Sequence, residues 1–376
     1  MIAKILAFFL RPVVRIPLLI LSLLLYLLTI IAAYGGRFNP DLFSIPGSLT
    51  LLLPYFAIAS VVVTIIWFLI RGYLGGCLGV LAIIVSWGPV SVAVPLNSPK
   101  KPTPGAETFT VLSWNMIHGW DLEKKTKPGE PNRSIQYLLD QDADIVVLQE
   151  LNSVDSTELQ GLSPAQIKNL HDKYPYISGV YDMRVLSKFP MLREPGYRYI
   201  DGDYDKRRYT FYKINLHGHL LTLINMHLLS FRLSDEERDV VTDMRTGVSG
   251  MKKSWNMLRT GIREKLRLGF KTRKKDVAIL RNTLERVHGP LIICGDFNDV
   301  PESYAYRLLR GDDLRDAYVE TGFGPLITYN RHAFWVHLDQ VFYRGDLKAL
   351  SVIKGTLKVS DHYPLLTTFE FTDGRR

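Results

Sequence analysis

The chain has 376 residues, of which 47% are hydrophobic, and a formal net charge of +9. This length allows two or three domains. Residues 1–97 contain five Lys or Arg residues, one acidic residue and no His, whereas the remainder holds the other 41 Lys and Arg, 36 Asp and Glu and all nine His. This distribution excludes the first part as the source of a catalytic site. The second part is long enough to bury a substantial core.

Three uncharged apolar segments occupy most of the first part. Residues 16–34, 51–70 and 74–94 are each about 20 residues long, which suits a helix that crosses a hydrocarbon core of roughly 30 Å. A cleaved secretory signal peptide is an alternative interpretation of the first segment. The two further segments favour its retention, so we predict a transmembrane region of about three helices over residues 1–97.

The basic residues around these segments predict their orientation. Lys4, Arg11 and Arg15 precede the first segment and Arg71 separates the second from the third, whereas the link at 35–49 is nearly neutral. Positively charged flanks stay in the cytoplasm. We therefore expect a multi-pass inner-membrane protein whose larger part lies on the extracytoplasmic side, which is the periplasm in a Gram-negative cell.

A short linker at 98–107, rich in Pro and polar residues, precedes a domain predicted over 108–376. Apolar runs and turn residues in this domain predict strands that alternate with helices, with a hairpin around Leu216-His217-Gly218. The mixture indicates an α/β domain with some antiparallel pairing. The predicted elements are strands at 109–114, 145–148, 208–215, 220–226, 290–294, 334–343 and 365–371, helices at 132–140 and 276–288, and a helix that begins at Ser163-Pro164.

A strongly basic stretch lies at 252–275. It contains ten Lys or Arg residues and one acid, Glu264, and apolar residues recur at steps of three and four. This pattern predicts a basic amphipathic helix. Three interpretations remain open: a surface helix with its apolar side on the core, a contact with anionic lipid headgroups, or a contact with a polyanionic substrate.

Polar side chains with acid–base or metal-binding chemistry recur at the ends of the predicted strands. They stand in the motifs SWNMIHG, VVLQE, NMHL, GDFND, HLDQVF and SDHYPL. Because each motif follows or ends an apolar run, the polar group emerges from a buried strand. Their number and type predict one metal-assisted hydrolytic site. The residues are Asn115, Glu150, His227, Asp296, Asn298, Asp339, Asp361 and His362.

The acids and amides of this set suit phosphoester hydrolysis, which needs a divalent ion, a positioned water and stabilised charge on the phosphate oxygens. Mg²⁺ prefers carboxylate and amide oxygens, so Glu150 is the natural metal ligand and Asn115 supports it. Asp296 can orient or deprotonate the water, and Asn298 can hydrogen-bond the phosphate or the nucleophile. Ordinary turn capping is the alternative for GDFND.

The two histidines suit contacts with phosphate. His362 can act as general base or bind a phosphate oxygen, and a carboxylate would fix its tautomer. Asp339 is its expected partner, because a buried Asp without one is costly. His227 can contact the phosphate as a second imidazole, although a single histidine at a strand end is often structural. The sequence contains no Walker loop, GxSxG elbow, HExxH helix or spaced CxxC pair, which disfavours those mechanisms.

These motifs, in this order, resemble the endonuclease/exonuclease/phosphatase superfamily, the metal-dependent fold of pancreatic deoxyribonuclease and the inositol-polyphosphate phosphatases. The resemblance covers about residues 107–373. It implies an α/β (α+β) four-layer sandwich, with two mixed β-sheets face to face and helices outside. It also implies roles at the metal for Asn115, Glu150 and Asp361, and catalytic roles at the water and phosphate for the rest, namely His227, Asp296, Asn298, Asp339 and His362.

We predict further substrate contacts by His118, Arg207, Arg208 and Tyr329. The apolar first part, with CGDFNDVPESYAYR and GFGPLITYN, is similar to a membrane-anchored branch of the superfamily found in Bacteroidetes. The resemblance implies a phosphoesterase (phosphodiesterase, nuclease or phosphatase) that uses Mg²⁺ or Mn²⁺. Nucleic acid, phospholipid headgroup and small phosphate ester all remain open as substrates. Two alternatives are a non-catalytic binding or sensing protein on the same fold, and a membrane protein in which the helices transport or sense.

Overall fold

The computed structural model describes residues 12–124, 130–154, 162–194, 208–231, 261–331 and 334–372. Its first part is helical, and the helices are α1 (Pro12–Tyr34), α2 (Ile45–Thr50), α3 (Leu53–Leu69) and α4 (Tyr73–Ala93). The short helix α2 was not predicted. The other three lie at the three predicted apolar segments.

Two of these helices are long and apolar enough to cross a membrane. They are Pro12–Arg37, which adds one short 3₁₀ turn to α1, and Tyr73–Ala93. In the most apolar stretch of 18 residues in each helix, 28% and 39% of the residues are buried. Helix α3 has only 17 residues. Because a buried core helix or a signal sequence can have the same length and composition, the three predicted spans stay a prediction.

Polar contacts join the helices to one another. Trp67 Nε1 on α3 donates to Ser22 Oγ on α1 at 2.9 Å, and the Thr29 and Ser60 hydroxyls lie 2.7 Å apart. Such hydrogen bonds hold helices together where lipid gives no hydrophobic driving force between them. Tyr26 OH on α1 also donates to the Gly75 carbonyl on α4 at 3.4 Å, so the three long helices form one packed unit.

The second part contains two six-stranded sheets and a two-stranded ribbon. The sheet orders are β13-β14-β1-β2-β4-β3 and β5-β6-β7-β8-β12-β9, and β10 pairs with β11. Both large sheets are mixed, because β1–β2 and β7–β8 are parallel and the other pairs are antiparallel. The strands are β1 (Thr108–Asn115), β2 (Ile145–Gln149), β3 (Tyr176–Val180), β4 (Met183–Ser187), β5 (Met191–Arg193), β6 (Tyr209–Leu216), β7 (His219–His227), β8 (Leu291–Asp296), β9 (Arg315–Asp316), β10 (Tyr329–Arg331), β11 (Phe334–Val336), β12 (Asp339–Arg344), β13 (Leu347–Lys354) and β14 (Leu365–Phe371).

Successive strand residues point to opposite faces, and this alternation builds the layers. In β2, Ile145 and Val147 pack between the sheets, whereas Val146 and Leu148 face outward. The outer helices are α5 (Arg133–Gln141) and α6 (Pro164–Lys173) on the first sheet, and α7 (Arg263–Leu284) and α8 (Tyr304–Arg310) on the second, with the short α9 (Ala317–Thr321) next to β9. The predicted four-layer sandwich is confirmed.

Two predicted elements differ from the structure. The helix predicted at 276–288 is part of α7, which begins at Arg263 and ends at Leu284. Helix α7 therefore includes residues 263–275 of the basic stretch, and residues 252–260 lie outside the described residues. The strand predicted at 334–343 is two strands, because β11 pairs with β10 while β12 pairs with β8. His337 and Leu338 connect them.

Candidate active site

The ends of four strands bring the predicted polar residues together. Asn115 ends β1, Glu150 directly follows β2, and His227 and Asp296 end β7 and β8. In the second sheet Asp296 is register partner to both His227 and Asp339. Because both parallel pairs end at the same side of the sandwich, side chains from the two sheets meet there.

Asn115 connects the two sheets at this point. Its Nδ2 donates to Glu150 Oε1 and to Asp296 Oδ2, each at 3.0 Å, and its Oδ1 accepts from the backbone N–H of Ile117 at 3.2 Å. Asn115 and Asp296 are each 1% exposed. Two carboxylates from different sheets are thus held on one amide.

The GDFND turn orients Asp296. Gly295 has φ +139°, and a Cβ there would lie 2.0 Å from the carbonyl oxygen of Met226, so only glycine lets β8 approach β7 this closely. Asn298 has φ 49° and donates to Asp296 twice, from its backbone N–H at 2.7 Å and from Nδ2 at 3.1 Å. Its Nδ2 also donates to the Leu228 carbonyl at 2.9 Å. Asp296 therefore has a fixed orientation.

His362 lies between two carboxylates. Its Nδ1 is 2.8 Å from Asp339 Oδ2 and its Nε2 is 3.6 Å from Asp296 Oδ2. Burial alone would lower the pKa of His362, but the charges of Asp339 and Asp296 outweigh it and raise this pKa to about 10. Burial also raises the pKa of Asp296, and the charge of His362 opposes that rise. The ring of Tyr329 packs edge-on against His362, with centroids 5.0 Å apart.

His227 is held by an acid that the sequence analysis missed. Its Nδ1 lies 3.4 Å from Asp182 Oδ2 in the turn between β3 and β4, and its Nε2 lies 3.6 Å from Glu150 Oε1. Burial lowers the pKa of His227, but Asp182, Asp296 and Glu150 outweigh it and raise this pKa. The signal was available, because Asp182 also stands between two short apolar alternating runs, which the sequence analysis did not assign as strands.

The other predicted residues lie at the rim or face away. Asp361 is next to His362, but its carboxylate lies 3.8 Å from Arg331 Nη1 and belongs to neither cluster of metal-binding atoms found among the described residues. His118 donates its backbone N–H to the Glu150 carbonyl at 2.6 Å.

Of the two arginines predicted to bind substrate, Arg208 is among the described residues and Arg207 is not. Arg208 Nε lies 3.7 Å from Asp276 on α7, so this side chain points to the outer helix. Arg207 lies outside the described residues. Substrate contact by either residue stays a prediction.

The comparison with family models identifies the fold family. A model described as the Endonuclease/Exonuclease/phosphatase family matches residues 112–362. The chain belongs to this family. Its members are phosphoesterases, and they typically depend on a divalent metal.

Several solved structures are similar to this chain. The family protein of Beutenbergia cavernae DSM 12333 is 16% identical, with 70% of this chain and 72% of that chain covered and a TM-score of 0.44. The family protein of Bacteroides vulgatus is 17% identical, with coverages of 70% and 99% and a TM-score of 0.41. The catalytic domain of human Nocturnin is 16% identical, with coverages of 70% and 95% and a TM-score of 0.41. A search of curated proteins finds no match.

The donors at the site suit the divalent ion on which enzymes of the family typically depend. One ligand atom from each of Glu150, His227 and Asp296 lies within 4.8 Å of the others, and the same is true of Asp296, Asp339 and His362. The first group contains two carboxylates, those of Glu150 and Asp296, and hard cations prefer such oxygen ligands. The second group already contains the tight Asp339–His362 pair. The carboxylates of Glu150 and Asp296 therefore fit a metal better, and Asn115, whose Nδ2 donates to both, orients them.

A buried arginine supports the two loops of this family site. Arg273 on α7 is fully buried; its Nε donates to Asp299 Oδ2 at 3.0 Å and its Nη1 to the Leu229 carbonyl at 2.8 Å. Asp299 follows Asn298, and Leu229 lies two residues after His227. One residue of the basic stretch thus ties together both loops that carry site residues. The positive charge of Arg273 in the sequence did not indicate this role, because the basic stretch contains nine other Lys or Arg residues.

Proposed function

We propose that the protein is a membrane-anchored phosphoesterase that uses Mg²⁺ or Mn²⁺ to hydrolyse a P–O bond. The observation that carries the proposal is a continuous series of contacts between the two sheets, in which Asn115 contacts both Glu150 and Asp296, and Asp296 contacts His362. A binding protein has no need for this set. The membrane-anchored Bacteroidetes branch is part of the same proposal.

In this reaction water attacks phosphorus in line with the ester oxygen that leaves. Asp296 orients the water and accepts one of its protons as the new O–P bond forms and the ester P–O bond breaks. Asn298 hydrogen-bonds the phosphate or the nucleophile. Glu150, Asn115 and Asp361 are the predicted ligands of a divalent ion, which would supply positive charge to stabilise the negative charge on the phosphate oxygens.

The histidines bind the phosphate oxygens. Asp339 holds His362 at Nδ1, which leaves Nε2 directed toward Asp296 and the reacting phosphate. Asp182 holds His227 in the same way from the other side. Preorganised donors of this kind stabilise charge that develops in the transition state. The linker and domain together, from residue 98 onward, carry five more basic than acidic residues, which also suits an anionic substrate.

Two contacts support the proposed inner-membrane orientation. Asp41 in the 35–49 link pairs with Lys274 of α7, and a Cβ at Gly36 would lie 1.8 Å from the Glu302 carbonyl. This link therefore lies at the end of the helices that faces the catalytic domain. Arg71 follows helix α3 and therefore lies at the opposite end of the helices. Alkaline phosphatase fused after residue 97 should be active; activity of a cytoplasmic reporter alone would contradict the orientation.

Metal-dependent turnover tests the enzyme assignment. The purified full-length protein should hydrolyse bis-(p-nitrophenyl) phosphate with Mn²⁺. Asp296→Ala and His362→Ala should each lose about 100-fold or more, as expected when one preorganised group is removed. Asp312→Ala, at an exposed position, should keep wild-type turnover. Equal hydrolysis by wild type and His362→Ala would refute the assignment.

A further inference from the structure

An apolar cavity lies between the N-terminal helices and the site loops. Its volume is about 60 Å³, and it is partly open to solvent. This volume is smaller than that of a pocket for a whole small molecule, and it suits part of a larger apolar group. The lining found among the described residues includes no Lys, Arg, Asp or Glu. Its walls come from helix α3, the loop after GDFND and strand β11, and include Tyr55, Ile58, Val300, Pro301, Trp335 and Val336.

One buried cluster of side chains connects the cavity to the catalytic site. Val300 is two residues beyond Asn298, and Val336 packs in one buried cluster with Val300, Leu338 and Tyr329. Tyr329 is the residue whose ring contacts His362. On the helix side, Tyr55 OH donates to the Trp335 carbonyl at 2.5 Å. Val336 and Tyr329 therefore connect the wall of the cavity to His362.

The surface beside the cavity has the composition of a membrane interface. The 35–49 link exposes large apolar side chains, and Trp335, which lines the cavity, is 41% exposed. Lys271 and Lys274 of α7 are close to this link, since both pair with Asp41. Exposed apolar side chains beside Lys and aromatic residues are typical of a protein surface at the level of lipid headgroups. The exposed residues of the link are Phe38, Leu42, Phe43 and Ile45.

We propose that the substrate is a phospholipid of the adjoining membrane leaflet, whose phosphate binds at Asp296 and His362 while part of an acyl chain enters the cavity. This inference rests on the proposed phosphoesterase function. The helices would hold the site loops at the depth of the headgroups. A nucleic acid substrate would leave the uncharged cavity without a role, because nucleic acids bind through basic grooves and stacking surfaces.

Matched substrates and variants test the inference in the full-length chain. The wild type, reconstituted with Mn²⁺ into vesicles of phosphatidylcholine and phosphatidylglycerol, is assayed on those lipids, on their deacylated glycerophosphodiesters, on single- and double-stranded DNA, and on bis-(p-nitrophenyl) phosphate. Ile58→Trp narrows the cavity. Ile65→Trp is the control, because both isoleucines lie on α3 and are similarly exposed, at 49% and 53%, but only Ile58 lines the cavity.

We expect the lipids to be hydrolysed at least about tenfold faster than their deacylated counterparts, the discrimination that an apolar pocket gives. Ile58→Trp should lose about tenfold on lipid only, and its unchanged turnover of bis-(p-nitrophenyl) phosphate would show that the site is folded. Equal rates with and without acyl chains, or faster cleavage of DNA, would overturn the lipid inference and leave the phosphoesterase standing. If none of these esters is hydrolysed, both proposals fail.

Discussion

Replacing Asp339 by Asn tests the role given to His362. The contact between Asp339 Oδ2 and His362 Nδ1 is 2.8 Å long, and the residues are 1% and 4% exposed. Opposite charges at this distance attract by about 6 kcal/mol at an effective dielectric constant of about 20. The Asn amide keeps the shape and part of the hydrogen bond. We therefore expect a loss of about 3–4 kcal/mol of transition-state stabilisation, which is roughly 100- to 1,000-fold in kcat/KM.

The assay is hydrolysis of bis-(p-nitrophenyl) phosphate by full-length Asp339→Asn with saturating Mn²⁺. Asp312→Asn makes the same chemical change at an exposed position and should match the wild type. Mn²⁺ affinity should change little, because Asp339 lies on the His362 side and Glu150 on the other. Wild-type kcat/KM in a folded Asp339→Asn protein would refute the reasoning that Asp339 positions the imidazole.

Three further predictions concern stability, each read from thermal unfolding. Burial lowers the pKa of His337 from 6.5 to about 3, so between these pH values the unfolded chain binds a proton that the folded chain does not. The free energy of unfolding should therefore fall from pH 6.5 toward pH 3, by up to about 1.4 kcal/mol per pH unit. His337→Gln should remove this pH dependence, whereas His288→Gln, at an exposed position, should not. Arg273→Met should cost about 3–5 kcal/mol, because it leaves a buried carboxylate unpaired, whereas the exposed Arg267→Met on the same helix should cost little. Gly295→Ala should cost about 1–3 kcal/mol or more, because of its positive φ and its contact with the neighbouring strand.

Local patterns in the sequence were sufficient to predict most of the sandwich. Strand β14 has the predicted bounds, Leu365–Phe371, and helix α5 begins after the predicted cap Asn132, whose Oδ1 accepts from the Ile135 backbone N–H at 2.9 Å. Both depend on neighbours in sequence: an apolar run, or a cap three residues from its donor. The predicted strand-end residues other than Asp361 also lie together, because the ends of the parallel strands of both sheets meet at one side of the sandwich.

Features that depend on distant partners were not predictable in this way. The apolar run at 334–343 has no local signal for the change of partner strand at His337-Leu338. Arg273 was one of many basic residues, and only the fold reveals that it is fully buried against Asp299. The alternating runs around Asp182 indicate a turn between two strands, but only the fold places that turn beside His227.

The position of the site follows from one property common to both sheets. Each large sheet contains one parallel pair, β1–β2 or β7–β8, and both pairs end at the same side of the sandwich. Beneath the site, the fully buried Gln149 and Asn225 cross the gap between the sheets: Gln149 Nε2 donates to Asn225 Oδ1 at 2.8 Å, and Asn225 Nδ2 donates to the Leu148 carbonyl at 2.9 Å. Buried hydrogen bonds of this kind allow only one register, because any slip would leave an amide unpaired. The same pair therefore fixes how the two sheets meet at Asn115 and Asp296, so the catalytic geometry depends on residues that need not touch substrate.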